Sequence, residues 1–161
     1  MPQKVKSPNQ LKKILGILKK QGKKIVFTNG CFDILHVGHI RYLNQARKLG
    51  DILVVGLNTD RSVRALKGEK RPIVCEKERA EVLSALEGVD YVILFDEPDP
   101  LALIKALKPS FLVKGADWPE EKIIGGDIIK KSGGKVVRIP LVPGSSNTNL
   151  IEKIIKAYCP S

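Results

Sequence analysis

The stretch from Ile25 to Leu49 constrains this chain more than any other. Ile25-Val26-Phe27 is a short apolar run with the composition of a buried strand. Thr28 to His36 reads as a turn carrying Gly30 and Asp33, and residues 39–49 show helical apolar spacing. A strand, a glycine-bearing turn and a helix start together make an anion site, because free backbone N–H groups and the positive end of the helix dipole converge there. The two histidines of the protein, His36 and His39, sit at this junction with Gly38 between them. Spacing of three on a nascent helical turn brings both imidazoles to one side, and Gly38 leaves room for a ligand near the backbone. The plain alternative is a pair of ordinary polar turn residues. A zinc site would call for H-E-x-x-H or a cysteine pair at ligand spacing, and neither occurs.

The rest of the chain alternates helix and strand. Asn9 is a candidate cap for a helix over Gln10–Gln21, with a stripe of Leu11, Ile14, Leu15 and Leu18 and a stop at Gly22; the polar segment before it reads as loosely held. Strands are expected at Lys24–Thr28, Asp51–Asn58, Asp90–Phe95, Phe111–Lys114 and Lys135–Ile139. Helices are expected after Thr59 or Asp60, over Glu76–Glu87, over Pro98–Leu107, near Ile123–Ser132 and over Asn149–Tyr158. Such alternation implies right-handed crossovers, hence a Rossmann-like α/β fold: a five-stranded parallel sheet with helices on both faces. The chain reads as one domain over residues 1–161, with residues 1–22 as an N-terminal extension and helix and 23–158 as the core. Ligands of such sheets bind beyond the strand C-termini, and every glycine- or serine-marked loop of interest follows a strand.

Charge and cysteine content narrow the setting. The chain carries 28 Lys and Arg against 17 Asp and Glu, a formal charge of +11. The bases are dispersed, and three Tyr, four Phe and one Trp offer little for stacking nucleobases. A field that gathers phosphorylated small molecules accounts for the excess as well as nucleic acid does, and no sequence-specific nucleic-acid readout is indicated. Cys31, Cys75 and Cys159 lack C-x-x-C spacing, and there is neither a signal-peptide pattern nor a run of membrane length, so the cytoplasm is the expected location and no membrane contact is expected. No nucleophile–base pair, P-loop or G-x-G-x-x-G fingerprint is present. Positioning and charge stabilisation at phosphorus remain.

Gly30-x-Phe32-Asp33-x-x-His36-x-Gly38-His39 resembles the signature of the H-x-G-H nucleotidylyltransferases, in their cytidylyltransferase-like branch. Together with Lys67-Gly68-Glu69-x-Arg71-Pro72, Leu112-Val113-Lys114-Gly115 and Thr148-Asn149, it resembles most the bacterial D-glycero-β-D-manno-heptose 1-phosphate adenylyltransferases, over about Lys23 to Ile155. The resemblance implies that a sugar 1-phosphate attacks the α-phosphorus of ATP, with Mg²⁺ bridging phosphate oxygens, and that pyrophosphate leaves. His36 and His39 would donate hydrogen bonds to the triphosphate, with Asn29, Gly30, Cys31, Phe32 and Gly38 around it. Asp33 would either position the acceptor or metal, or cap the turn; both readings stand. Ser145, Ser146, Asn147 and Thr148 would hold the β- and γ-phosphates, and Lys114, Gly115, Asp117 and Trp118 the nucleoside. The family's basic residue three positions past the threonine is Ile151 here, which leaves a cationic clamp to Lys67, Lys70 or Arg71, on a loop that is otherwise simply solvated, or to Arg79 early in the next helix, which best matches a family arginine. A separate heptose kinase is implied upstream. A homodimer is open, and so is a CTP-dependent enzyme for glycerol 3-phosphate or a similar polyol phosphate. A non-catalytic nucleotide- or RNA-binding module is the most distant alternative.

Overall fold

Five parallel strands, β1 (Ile25–Gly30), β2 (Ile52–Asn58), β3 (Tyr91–Phe95), β4 (Phe111–Gly115) and β5 (Lys135–Ile139), pair in the order β3-β2-β1-β4-β5. The computed structural model describes residues 3–159. The chain steps outward from β1 to β3 and then returns to the other side of β1, so the order reverses between β1 and β4. Loops leaving the sheet on either side of that point part and open a crevice. The five-stranded Rossmann-like sheet read from the sequence is the one observed.

Among the described residues seven α-helices surround it: α1 (Pro8–Lys20), α2 (Val37–Arg47), α3 (Asp60–Lys67), α4 (Glu76–Ala85), α5 (Leu101–Leu107), α6 (Gly126–Lys131) and α7 (Asn147–Tyr158). Side chains alternate along each strand. Ile25, Phe27, Val54 and Leu112 meet Leu11 and Leu15 of α1, Ile104 of α5 and Ile129 of α6 on one face. Val26, Leu53, Val55 and Val113 meet Leu43 and Ala46 of α2 and Leu83 of α4 on the other. Each such aliphatic side chain contributes roughly 1.5–3 kcal/mol on burial, so the crevice stands on a platform packed from both sides. Helix α7 differs: none of its residues is buried, and Ile154, Ile155 and Tyr158 are exposed.

Several boundaries depart from the sequence reading. Residues 4–6 are not loosely held: Lys6 N–H donates to Val92 O at 2.9 Å, Val92 N–H donates to Lys4 O at 3.0 Å, and Val5 bridges β3 in parallel. An open sheet edge offers unpaired amides to any extended segment, and the polar composition concealed that pairing. Met1 and Pro2 of that segment lie outside the described residues. Ser7, not Asn9, caps α1; its Oγ accepts the Gln10 N–H while Gln10 Oε1 accepts the Ser7 N–H, and Pro8 occupies the first helical position. Strand β1 runs on through Asn29 and Gly30, which pair with Gly56 and Leu57. The expected helix near 123–132 is a 3₁₀ turn at Glu120–Lys122 followed by α6, divided at Gly125, whose φ of 82° a continuous helix does not allow.

Candidate active site

Beyond the C-terminal ends of β1 and β4 lies a cavity of about 340 Å³. Asn29, Gly30, Cys31 and Phe32 reach it from β1 and its turn, and His36, Gly38 and His39 from the start of α2. Lys67 comes from the end of α3, Lys114, Gly115, Asp117 and Trp118 from the end of β4, and Ser145, Ser146, Asn147 and Thr148 from the start of α7. Two helix N-termini, those of α2 and α7, therefore face one space with their positive ends. Ser146 caps α7 by accepting the Asn149 N–H at 3.0 Å. Tyr42, Leu141 and Val142 also line the cavity and were not anticipated. Tyr42 follows His39 by three helical residues, a spacing that would have flagged it; its hydroxyl lies 2.8 Å from Thr28 Oγ1, and burial raises its pKa.

The imidazoles of His36 and His39 stack with centroids 3.9 Å apart and planes 28° from parallel, and the Phe32 ring stands 5.3 Å from that of His39. The Nδ1 atoms of both rings are buried without a hydrogen-bond partner among the described residues. Burial lowers both pKa values, that of His39 to about 4 with His36 and Lys67 adding to the effect. Near pH 7 both are neutral rings, each able to donate one N–H and accept at the other nitrogen. A Cβ at position 38 would stand 2.9 Å from the His36 ring and 3.0 Å from Ser145 Cβ, so Gly38 is what lets these side chains lie across the helix start. Phe32 has φ of 42°, a left-handed conformation that a bulky residue holds only when its surroundings fix it.

Asp33, Lys70, Arg71 and Arg79 stand off the wall of this cavity. Asp33 lies behind the turn with its side chain fully buried; it accepts the Nε–H of Arg71 at 2.7 Å, the Val74 N–H at 2.8 Å and the Ile73 N–H at 2.9 Å. Burial alone would raise its pKa, but the two amides and the guanidinium outweigh burial and hold the carboxyl below its usual range. Arg79 is 1% exposed. Its Nη1 donates to Cys31 O at 2.6 Å, its Nε to Val74 O at 2.9 Å and its Nη2 to Asp60 Oδ1 at 2.7 Å. Both residues tie the β1 turn to the segment before α4. Lys70 is exposed on the loop between α3 and α4.

A second cavity, of about 410 Å³, abuts the first and shares Asn29, Gly30, Cys31, Lys67, Lys114 and Trp118 with it. Its far walls are Asn58, Leu66, the Pro98–Pro100 segment and Lys122–Ile124. Lys114 occupies the common wall, where its ammonium donates to Asn29 Oδ1 and lies 5.9 Å from the Trp118 ring centroid. Burial lowers its pKa to about 8. It remains mostly a cation near neutral pH, and a poorly hydrated one, which favours an anionic partner. Among the described residues no cluster of three His, Cys, Asp or Glu side chains is placed to hold a metal, and no helix is long and apolar enough to cross a membrane.

Stacked neutral imidazoles, two helix starts and two lysines at the switch point of a parallel sheet make the arrangement of a nucleotidyltransferase. The chain belongs to the cytidylyltransferase-like family, whose model matches residues 27–145. It is 54% identical over 155 residues to the bifunctional protein HldE of Geobacter metallireducens, across 96% of this chain and 32% of that protein. Against the bifunctional protein HldE of Methylobacillus flagellatus it is 57% identical over 136 residues, across 84% of this chain and 28% of the relative. The chain thus spans about a third of the length of the curated relatives it matches. The crystal structure of the lipopolysaccharide core biosynthesis protein from Thermoplasma volcanium matches with a TM-score of 0.61 and 36% identity, over 75% of this chain and 98% of that one. Pantoate-beta-alanine ligase from Francisella tularensis shares the fold, with a TM-score of 0.57 and 16% identity over 94% of this chain and 78% of its own.

Proposed function

We propose that the protein transfers the adenylyl group of ATP to D-glycero-β-D-manno-heptose 1-phosphate, giving ADP-heptose and pyrophosphate. The observation that carries this reading is the pair of cavities joined at a wall of Lys67 and Lys114 beside the stacked His36 and His39. One chamber suits a triphosphate, the other an acceptor, and the reacting atoms belong where they meet. The likeness to the HldE proteins and to a lipopolysaccharide core biosynthesis protein supports the choice of sugar and of ATP.

ATP binds in the first cavity with its phosphates between the starts of α2 and α7, held by the Ser145–Thr148 segment, and its nucleoside toward Asp117 and Trp118. The sugar phosphate lies in the second cavity, its phosphate between Lys67 and Lys114. A phosphate oxygen of the sugar attacks the α-phosphorus in line, the α-phosphorus–oxygen bond to the β-phosphate breaks, and pyrophosphate leaves. His36 and His39 donate N–H groups to the oxygens that gain charge as phosphorus becomes five-coordinate, from rings already stacked against each other. Asp33 and Arg79 act as positioning residues: they fix the turn from behind. Asp117 is the carboxylate among the described residues that line the nucleotide cavity. It would be the protein's contribution to holding a Mg²⁺ bound mainly through the phosphates of ATP, and that ion would supply neutralisation of phosphate charge.

The same reading expects a kinase to supply the sugar 1-phosphate, a cytoplasmic setting in which Cys31, Cys75 and Cys159 stay reduced, and a homodimer that covers Ile154, Ile155 and Tyr158, tested by sedimentation. The deciding experiment is magnesium-dependent pyrophosphate release from ATP or CTP, each with β-heptose 1-phosphate or glycerol 3-phosphate. Release with ATP and the heptose phosphate alone is expected. Release with CTP and glycerol 3-phosphate would make the protein a polyol-phosphate cytidylyltransferase, and no release from folded protein would leave a nucleotide-binding module.

A further inference from the structure

The second cavity carries one carboxylate among its lining residues, Asp99, on walls that otherwise bear lysines, amides and apolar groups. Pro98 and Pro100 flank it, and their fixed φ angles restrict the backbone that carries it. Asp99 Oδ1 accepts the Leu101 N–H at the start of α5 at 2.8 Å. Asp99 takes part in none of the ion pairs among the described residues. One oxygen is therefore anchored and the other accepts no hydrogen bond among the described residues, on a half-buried residue that lines the cavity together with Lys122, Ile123 and Ile124.

A carboxylate only accepts hydrogen bonds, and it repels phosphate. Lys67 and Lys114 belong to the part shared with the first cavity, and Asp99 to the unshared part, where Lys122 is the other charged group. The carboxylate therefore sorts the ends of an acceptor: the anionic end goes to the shared ammonium groups and the hydroxyl-bearing end to Asp99. An acceptor without hydroxyls would strip water from this carboxylate and return nothing, which is how a polar site rejects an analogue that lacks its donor. We infer that Asp99 is a specificity-determining residue whose free oxygen receives hydroxyl groups of the sugar phosphate. This rests on the reading of the second cavity as the acceptor site.

Asp99→Asn tests it, because the amide oxygen can still accept the Leu101 N–H while the second oxygen becomes a donor. Steady-state rates of pyrophosphate release with ATP and β-heptose 1-phosphate should show the KM for the sugar phosphate rising about tenfold or more, the scale of a lost hydrogen bond to a charged group. The KM for ATP should stay unchanged, and so should inhibition by inorganic phosphate, which engages the lysines but brings no array of hydroxyls. An unchanged sugar-phosphate KM, or an equal rise in both KM values, overturns the role of Asp99 while wild-type turnover leaves the proposed reaction standing. Absence of wild-type turnover with the sugar phosphate overturns both.

Discussion

Asp33 and Arg71 are joined by a 2.7 Å contact between a fully buried carboxylate and a guanidinium Nε, and the same carboxylate gathers the amides of Ile73 and Val74. The pair fastens the β1 turn to the segment before α4. Removing one member of a buried, hydrogen-bonded ion pair leaves the other uncompensated and costs about 3–5 kcal/mol. Asp33→Ala should lower the denaturant midpoint by a corresponding amount, and a loss below about 1 kcal/mol would mean the guanidinium finds water easily.

His39 carries the proposed transition-state contact. Replacing it by Ala should reduce turnover by about a hundredfold or more, the scale of losing one preorganised donor, with the circular dichroism spectrum unchanged. Near-normal turnover from a folded variant would take the stacked pair out of the mechanism.

Gly38→Ala separates chemistry from stability. In an exposed helical position Ala is favoured over Gly by about 1 kcal/mol, yet here the new methyl group would crowd the His36 ring from 2.9 Å. Turnover should fall by about a hundredfold, as for a misplaced catalytic group, without a comparable fall in melting temperature. Full activity would show that His36 can swing aside at no cost.

The lowered pKa of His39 makes folding sensitive to acid. The folded ring protonates only near pH 4, whereas its ordinary value is 6.5. As pH falls through that window the unfolded chain takes up the proton first, so stability present above 6.5 is progressively lost toward 4. His36, shifted the same way by burial, adds to the slope. A plot of melting temperature against pH for His39→Gln should be flatter there than for the wild type, and a parallel plot would contradict the burial of the ring.

The strands and the cavity-facing segments were legible because each follows from local chemistry: apolar runs, a glycine turn, serine at a helix start. Of the two readings of Asp33, the turn-capping one matches its buried position, but its Arg71 partner 38 residues on, and the Cys31 carbonyl that Arg79 meets 48 residues back, lie beyond any local pattern. Residues 4–6 were misread for the same reason, as the strand they join is formed some 86 residues later. Asp99 escapes notice because the sequence places it in the first turn of a helix over Pro98–Leu107, whereas α5 begins at Leu101. Only the neighbouring loops give it a chamber to face.

The wall that Lys67 and Lys114 form between the two cavities has a thermodynamic consequence. Ligands that lean on the same ammonium groups from opposite sides are not independent: whatever factor the first imposes on the affinity of the second, the second imposes on the first. Two anions alone would compete across that wall, and a divalent counter-ion would turn the competition into mutual support. The strength of the coupling between the chambers is therefore a property of one shared pair of charges, not of either chamber.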